Sequence, residues 1–206
     1  LIMKSVARLL TGSAGLLFYL NEGAKKNIKI LGAIKKAKFG LWGIWGVNQE
    51  VFYPSQKPPK MKVLFVGRIT EQKGVIDLLN AFSQVHKQLP STQCIYVGSG
   101  DAMEQVRERS VELGLSQSVI FIGEIPDTQI AKFYREATLL VFPSKSSPHN
   151  AEQVGMVAIE AMSSGLPVVG YRSGSIGEFV KDQESGLLVR EGDIDALANA
   201  IVEVLG

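Results

Sequence analysis

The chain has 206 residues, is 46% hydrophobic and 20% charged, and carries a net charge of +2. Such a chain buries a sizeable core, and its near-neutral balance gives no electrostatic footing for nucleic acid or an anionic membrane. The single cysteine, Cys94, excludes a disulfide framework and a cysteine-built zinc site, fits a reducing compartment, and reads as a small core residue beside Ile95, Tyr96 and Val97.

The chain opens on Leu1, not methionine, and reads as a piece of a longer protein. Residues 15–20 are apolar but far too few to span a bilayer. No basic segment with a cleavage site precedes them, so no signal peptide is expected. Residues 1–53 offer a strand over 16–20, a basic helix over 22–31 and a strand over 39–44. They read as the tail of a preceding domain. The stretch 54–59, with Pro58 beside Pro59, reads as a linker, which divides the chain into 1–56 and 57–206.

Beyond the linker the pattern is regular. The run 62–66 predicts a strand ending at Gly67, and Val75, Leu78, Leu79, Phe82, Val85 and Leu89 then fall at helical spacing. A strand over 94–97 ends at Gly98-Ser99-Gly100. Asp101, with Glu104 three residues on, predicts a capping box for a helix that stops at Gly114. Residues 119–122 predict a strand, and Asp127 the cap of a helix carrying Ile130, Phe133 and Tyr134. Residues 139–142 form the next strand, a polar loop over 144–151 follows, and a helix runs to Met162. Strands over 167–169 and 187–189 come next, and Asp193 caps a last helix with Leu197, Ile201 and Leu205. The strands are continuous apolar runs, as in strands covered on both faces. Alternation with helices then gives an α/β fold with a doubly wound, six-stranded parallel sheet, whose ligands bind at the strands' carboxyl ends.

Those strand ends carry the chemistry. Gly67 closes a strand and Gly74 opens a helix; Arg68 and Lys73 between them make a candidate phosphate clamp, with backbone N–H groups behind them. Surface cations on a loop are the plainer alternative. Glu152 and Glu160 form a second constellation. Glu160 is the only charged residue between Glu152 and Arg172, and a carboxylate among apolar neighbours needs donors such as sugar or ribose hydroxyls. Gly155, Met156 and Val157 would present the unpaired first-turn N–H groups of that helix. Gly98-Ser99-Gly100-Asp101 is an incomplete dinucleotide fingerprint and reads better as a tight turn. Gly174-Ser175-Ile176-Gly177 reads as part of the cleft floor, with Glu178 in a short helix. His86 reads as a surface residue and His149 as a loop residue near Glu152. No residue set has metal-ligand spacing, and no metal or cofactor is expected.

Taken together, these motifs resemble the C-terminal, donor-binding domain of a family 4 retaining glycosyltransferase with the Rossmann-like GT-B fold. The likeness covers residues 63–204: Gly67-Arg68 to Lys73-Gly74, Gly98-Ser99-Gly100, Phe121-Ile122-Gly123, Phe142-Pro143-Ser144, the Glu152/Glu160 pair running on to Val169, and Gly186 to Val189. Residues 1–53, with Gly46-Val47-Asn48 and Phe52-Tyr53-Pro54, resemble the end of the family's N-terminal, acceptor-side domain. The resemblance implies that Arg68 and Lys73 bind the donor diphosphate and Glu160 the ribose. Glu152 contacts the transferred sugar and is the candidate catalytic residue, Gly155, Met156 and Val157 meet sugar and phosphate, and Ile125 lies near the nucleobase. It implies a nucleotide-sugar donor and a saccharide or lipid-linked saccharide acceptor, as in cell-envelope polysaccharide synthesis. The expected place is cytoplasmic or peripheral at the inner membrane face, with any membrane contact made through the N-terminal domain. Gln153-Val154 stands where the family has Gly-Phe, and the loop 146–151 is longer than usual. With little of the acceptor-side domain in the sequence, binding without efficient transfer is expected. An epimerase-type GT-B enzyme and a non-catalytic nucleotide-sugar-binding module are the alternatives.

Overall fold

The computed structural model describes residues 16–19, 38–41, 46–56, 61–146 and 155–206. The chain divides into two compact units, Leu1–Trp45 and Gly46–Gly206. In the first, β1 (Leu16–Tyr19) and β2 (Lys38–Leu41) pair in parallel, Leu16 opposite Lys38 and Tyr19 opposite Leu41. The helix expected over 22–31 lies outside the described residues.

The second unit is built on a six-stranded sheet: β3 (Lys62–Val66), β4 (Gln93–Val97), β5 (Val119–Gly123), β6 (Leu139–Phe142), β7 (Val168–Tyr171) and β8 (Gly186–Val189). Their order is β5-β4-β3-β6-β7-β8, and every pairing is parallel. The doubly wound α/β sheet expected from the pattern is present. Val63 and Phe65 belong to one core layer and their neighbours Leu64 and Val66 to the other. Both faces of β3 are therefore dry, which is why its sequence does not alternate. The outer strand β5 departs from this, with Ile122 exposed, because an edge strand is only half covered.

Helices α1 (Val75–Gln88), α2 (Met103–Glu112) and α6 (Ile194–Leu205) supply the first layer. On α1, Val75, Leu78, Leu79, Phe82 and Val85 recur on one stripe and are all fully buried. Helices α3 (Asp127–Glu136), α4 (Met156–Ser163) and α5 (Ile176–Phe179) supply the second, together with Phe52. Residues 46–56 thus belong to the second unit. The N–H groups of Val51 and Phe52 reach back to the Asn48 carbonyl at 3.0 and 2.9 Å, and the hydroxyl of Ser163 on α4 donates to the Phe52 carbonyl at 2.8 Å.

The helix starts follow the sequence unevenly. Asp193 caps α6 as expected, accepting from the Ala196 N–H at 2.9 Å. Asp101 does not cap α2: Ala102 holds the cap position without any side-chain bond, because the Ala102 N–H is turned onto the Ile69 carbonyl at 3.0 Å. Helix α3 begins at Asp127 itself, with Pro126 in the cap position.

Candidate functional site: a cleft at the switch point of the sheet

Chain order sets the location. From β3 the chain winds outward through β4 to β5, then returns to lay β6 on the other side of β3. The loops leaving β3 and β6 diverge there, and a crevice opens at their carboxyl ends. A cleft of about 220 Å³ occupies this point, walled by Phe65 to Arg68 from β3 and by Phe142 and Ser144 from β6. Lys73 and Gly155 to Val157 complete it. The structure thus brings together the two basic residues and the helix start singled out in the sequence.

Local geometry explains how. Residues Glu71–Lys73 form a 3-10 turn, and Gly74 takes a left-handed φ of 69° that launches α1. A Cβ on Gly74 would lie 2.0 Å from the Pro143 carbonyl oxygen, so only glycine lets the two loops touch. The N–H groups of Ile69, Thr70, Lys73 and Gly74 are spent inside the loops, on Ser99, Arg68, Thr70 and Glu71 carbonyls. The loop after β3 therefore contributes side chains more than amides. The open helix end belongs to α4 instead. There the Ala158 and Ile159 N–H groups return to the Gly155 carbonyl, leaving Gly155, Met156 and Val157 as the first-turn donors without an intrahelical acceptor. Arg68 is exposed, and among the described residues no carboxylate pairs with it. The Lys73 ammonium stands 5.7 Å over the Phe142 ring, within cation–π range. Two cations and a positive helix end facing one cleft suit a diphosphate.

A second hollow of about 200 Å³ adjoins the first through Val66, Gly67 and Arg68. Ile125 and Ile130 give it an apolar wall, and Ser99 donates to the Glu124 carboxylate there at 3.1 Å. Its size and apolar side suit a base. Glu160, half-buried on α4, accepts from the Tyr134 hydroxyl at 2.9 Å. Its helix is less enclosed than the sequence suggested: only Ala158 and Ala161 are fully covered. Glu152 and His149 lie outside the described residues. The glycine-rich loop 174–177 is not among the residues that line either hollow; Ile176 of α5 is buried beside Gly155, where a Cβ would sit 3.5 Å from it. His86 is not a plain surface residue. It is half-buried, tilted against Phe82 at 5.8 Å, with Nε2 3.2 Å from the Ser118 hydroxyl.

Asp77, in the first turn of α1, is the one buried charged residue among the described residues. Lys145 reaches one of its oxygens at 2.9 Å and the Tyr171 hydroxyl donates to the other at 2.9 Å. Burial, and then the Asp77 carboxylate, push the Tyr171 phenol far above its usual value, so it remains a donor. The Lys145 N–H also binds the Gln72 carbonyl at 2.8 Å. Asp77 therefore ties the loop carrying Lys73 to the loop carrying Ser144. The only sequence signal was an acid inside the apolar run Val75 to Leu79.

Residues 48–206 match the family model for glycosyl transferases group 1. The chain belongs to that family, and its second unit has the fold of a GT-B C-terminal domain. It is 36% identical over 158 residues to D-inositol 3-phosphate glycosyltransferase of Segniliparus rotundus, an alignment covering 70% of this chain and 34% of that protein. Sucrose-phosphate synthase of Thermosynechococcus elongatus superposes with a TM-score of 0.80 at 29% identity, over 99% of this chain and 52% of that one. The Anabaena protein HepE, solved with UDP, superposes with a TM-score of 0.80 at 23% identity, over 96% and 57%, a likeness of fold. The chain spans about a third of the length of the curated relatives it matches. Among the described residues no helix is long and apolar enough to cross a membrane.

Proposed function

We propose that the second unit grips the nucleoside diphosphate of a sugar donor, and that within the longer protein it serves a family 4, retaining hexosyl transfer. The observation that carries this reading is the convergence of Arg68, Lys73 and the first turn of α4 on one cleft at the switch point. The departing group in such a transfer is a nucleoside diphosphate. Cations and a helix end held in place before the reaction stabilise its growing charge without reorganisation. In this reading Glu160 holds the ribose, Ile125 borders the base, the amides of Gly155, Met156 and Val157 meet phosphate and sugar, and Glu152 contacts the transferred sugar. No cofactor is invoked. The acceptor, a saccharide free or lipid-linked, is met by the N-terminal half, which also makes any contact with the cytoplasmic membrane face.

Calorimetric titration of the chain with uridine, guanosine and adenosine, and with their mono- and diphosphates, tests this. The diphosphate of one base binds at least about tenfold more tightly than its monophosphate, because a β-phosphate adds charge-assisted hydrogen bonds. Equal affinity for mono- and diphosphate would show that the cleft is not a diphosphate clamp.

A further inference from the structure

We propose that Tyr134 is a positioning residue for the ribose subsite: its hydroxyl holds the Glu160 carboxylate in the conformation that meets the sugar hydroxyls. The inference rests on the reading of Glu160 as the ribose ligand. Tyr134 is fully buried on α3, and its hydroxyl donates to Glu160 Oε2 at 2.9 Å across to α4. A hydrogen bond to a carboxylate is stronger than one between neutral groups. A glutamate side chain that is already fixed also spares the entropy that binding would otherwise cost.

The tyrosine is itself locked. Phe52 meets its ring edge-on, with centroids 5.8 Å apart and planes at 70°. Phe52 is buried, and its carbonyl accepts from Ser163, which stands three residues after Glu160 on the same helix. Next to Tyr134, Arg135 donates to the Val51 carbonyl at 3.1 Å and lays its guanidinium over the Tyr53 ring at 4.7 Å. The strap of residues 46–56 thus clamps α3 and α4 to each other directly behind the Tyr134–Glu160 bond. Tyr134 has a fixed ring, a single polar atom and a charged acceptor for it. The strap exists to pack, but its packing sets the direction in which the carboxylate points.

The test is a cycle of Y134F, E160A and the double variant. Each is titrated with UDP, GDP and ADP, and with the 2′,3′-dideoxy form of whichever binds. Y134F keeps the ring and its contact with Phe52. It is expected to weaken the ribonucleoside diphosphate about five- to tenfold, to leave the dideoxy compound within about twofold, and to add nothing on the E160A background. Equal weakening of both compounds, no weakening of either, a full additional loss on E160A, or a Y134F chain that no longer melts cooperatively would each overturn the positioning role. If E160A itself leaves ribonucleotide binding intact, or if no nucleoside diphosphate binds, the ribose reading fails and takes the inference with it.

Discussion

Asp77 shows how one residue can govern the cleft without touching it. A buried carboxylate is tolerated only when its donors are supplied by the protein, and here Lys145 and Tyr171 do so. Replacing it with asparagine keeps the volume but removes the charge that the lysine neutralises. Asp77→Asn should cost about 2 kcal/mol of stability, and it loosens the contact between the Lys73 and Ser144 loops. Urea denaturation measures this, and a midpoint equal to that of the native sequence would show that the trio contributes nothing. Arg68 and Lys73 stood out in the sequence because they lie between a glycine that ends a strand and one that opens a helix, and both line the cleft, although the spacing alone fits surface cations equally well. Asp77 was not, because the partners that keep it buried lie 68 and 94 residues away in the chain.

At the scale of the elements, the loops after β3 and β4 are fitted to one another through their backbones. Gly98 has φ of 133°, and a Cβ there would lie 2.0 Å from the Gly67 carbonyl oxygen. The obstacle is backbone, so no side-chain rotation relieves it. Gly98→Ala is expected to cost about 3 kcal/mol and to distort the wall shared by the two hollows. Unfolding within a few tenths of a kcal/mol of the parent would contradict this. The sequence marked this turn correctly as a tight one, and it located every strand of the sheet, because continuous apolar runs bounded by glycine have one common reading. It misread the start of α2. Asp101 and Glu104 have capping-box spacing, but the Ala102 amide is drawn onto the Ile69 carbonyl, a contact between loops that local spacing cannot encode. Nor did composition reveal that residues 46–56 pack on the second unit: the prolines after them suggest a linker, whereas Phe52 is a core residue.

For the whole molecule, strand order places the cleft. Reversal of winding between β3 and β6 opens the crevice, and the loops around it deliver cations from one side and a helix end from the other. The cleft is thus assembled within residues 46–206, while the chain spans about a third of the length of its curated relatives. The most direct test of donor binding is calorimetric titration of the chain, and of Lys73→Ala and Glu160→Ala, with UDP-, GDP- and ADP-sugars. Saturable binding of one nucleotide sugar, weakened at least about tenfold in each variant, is the predicted result. Unchanged affinity in both variants, or no binding of any of them by the folded chain, would contradict the assignment of this cleft to the donor.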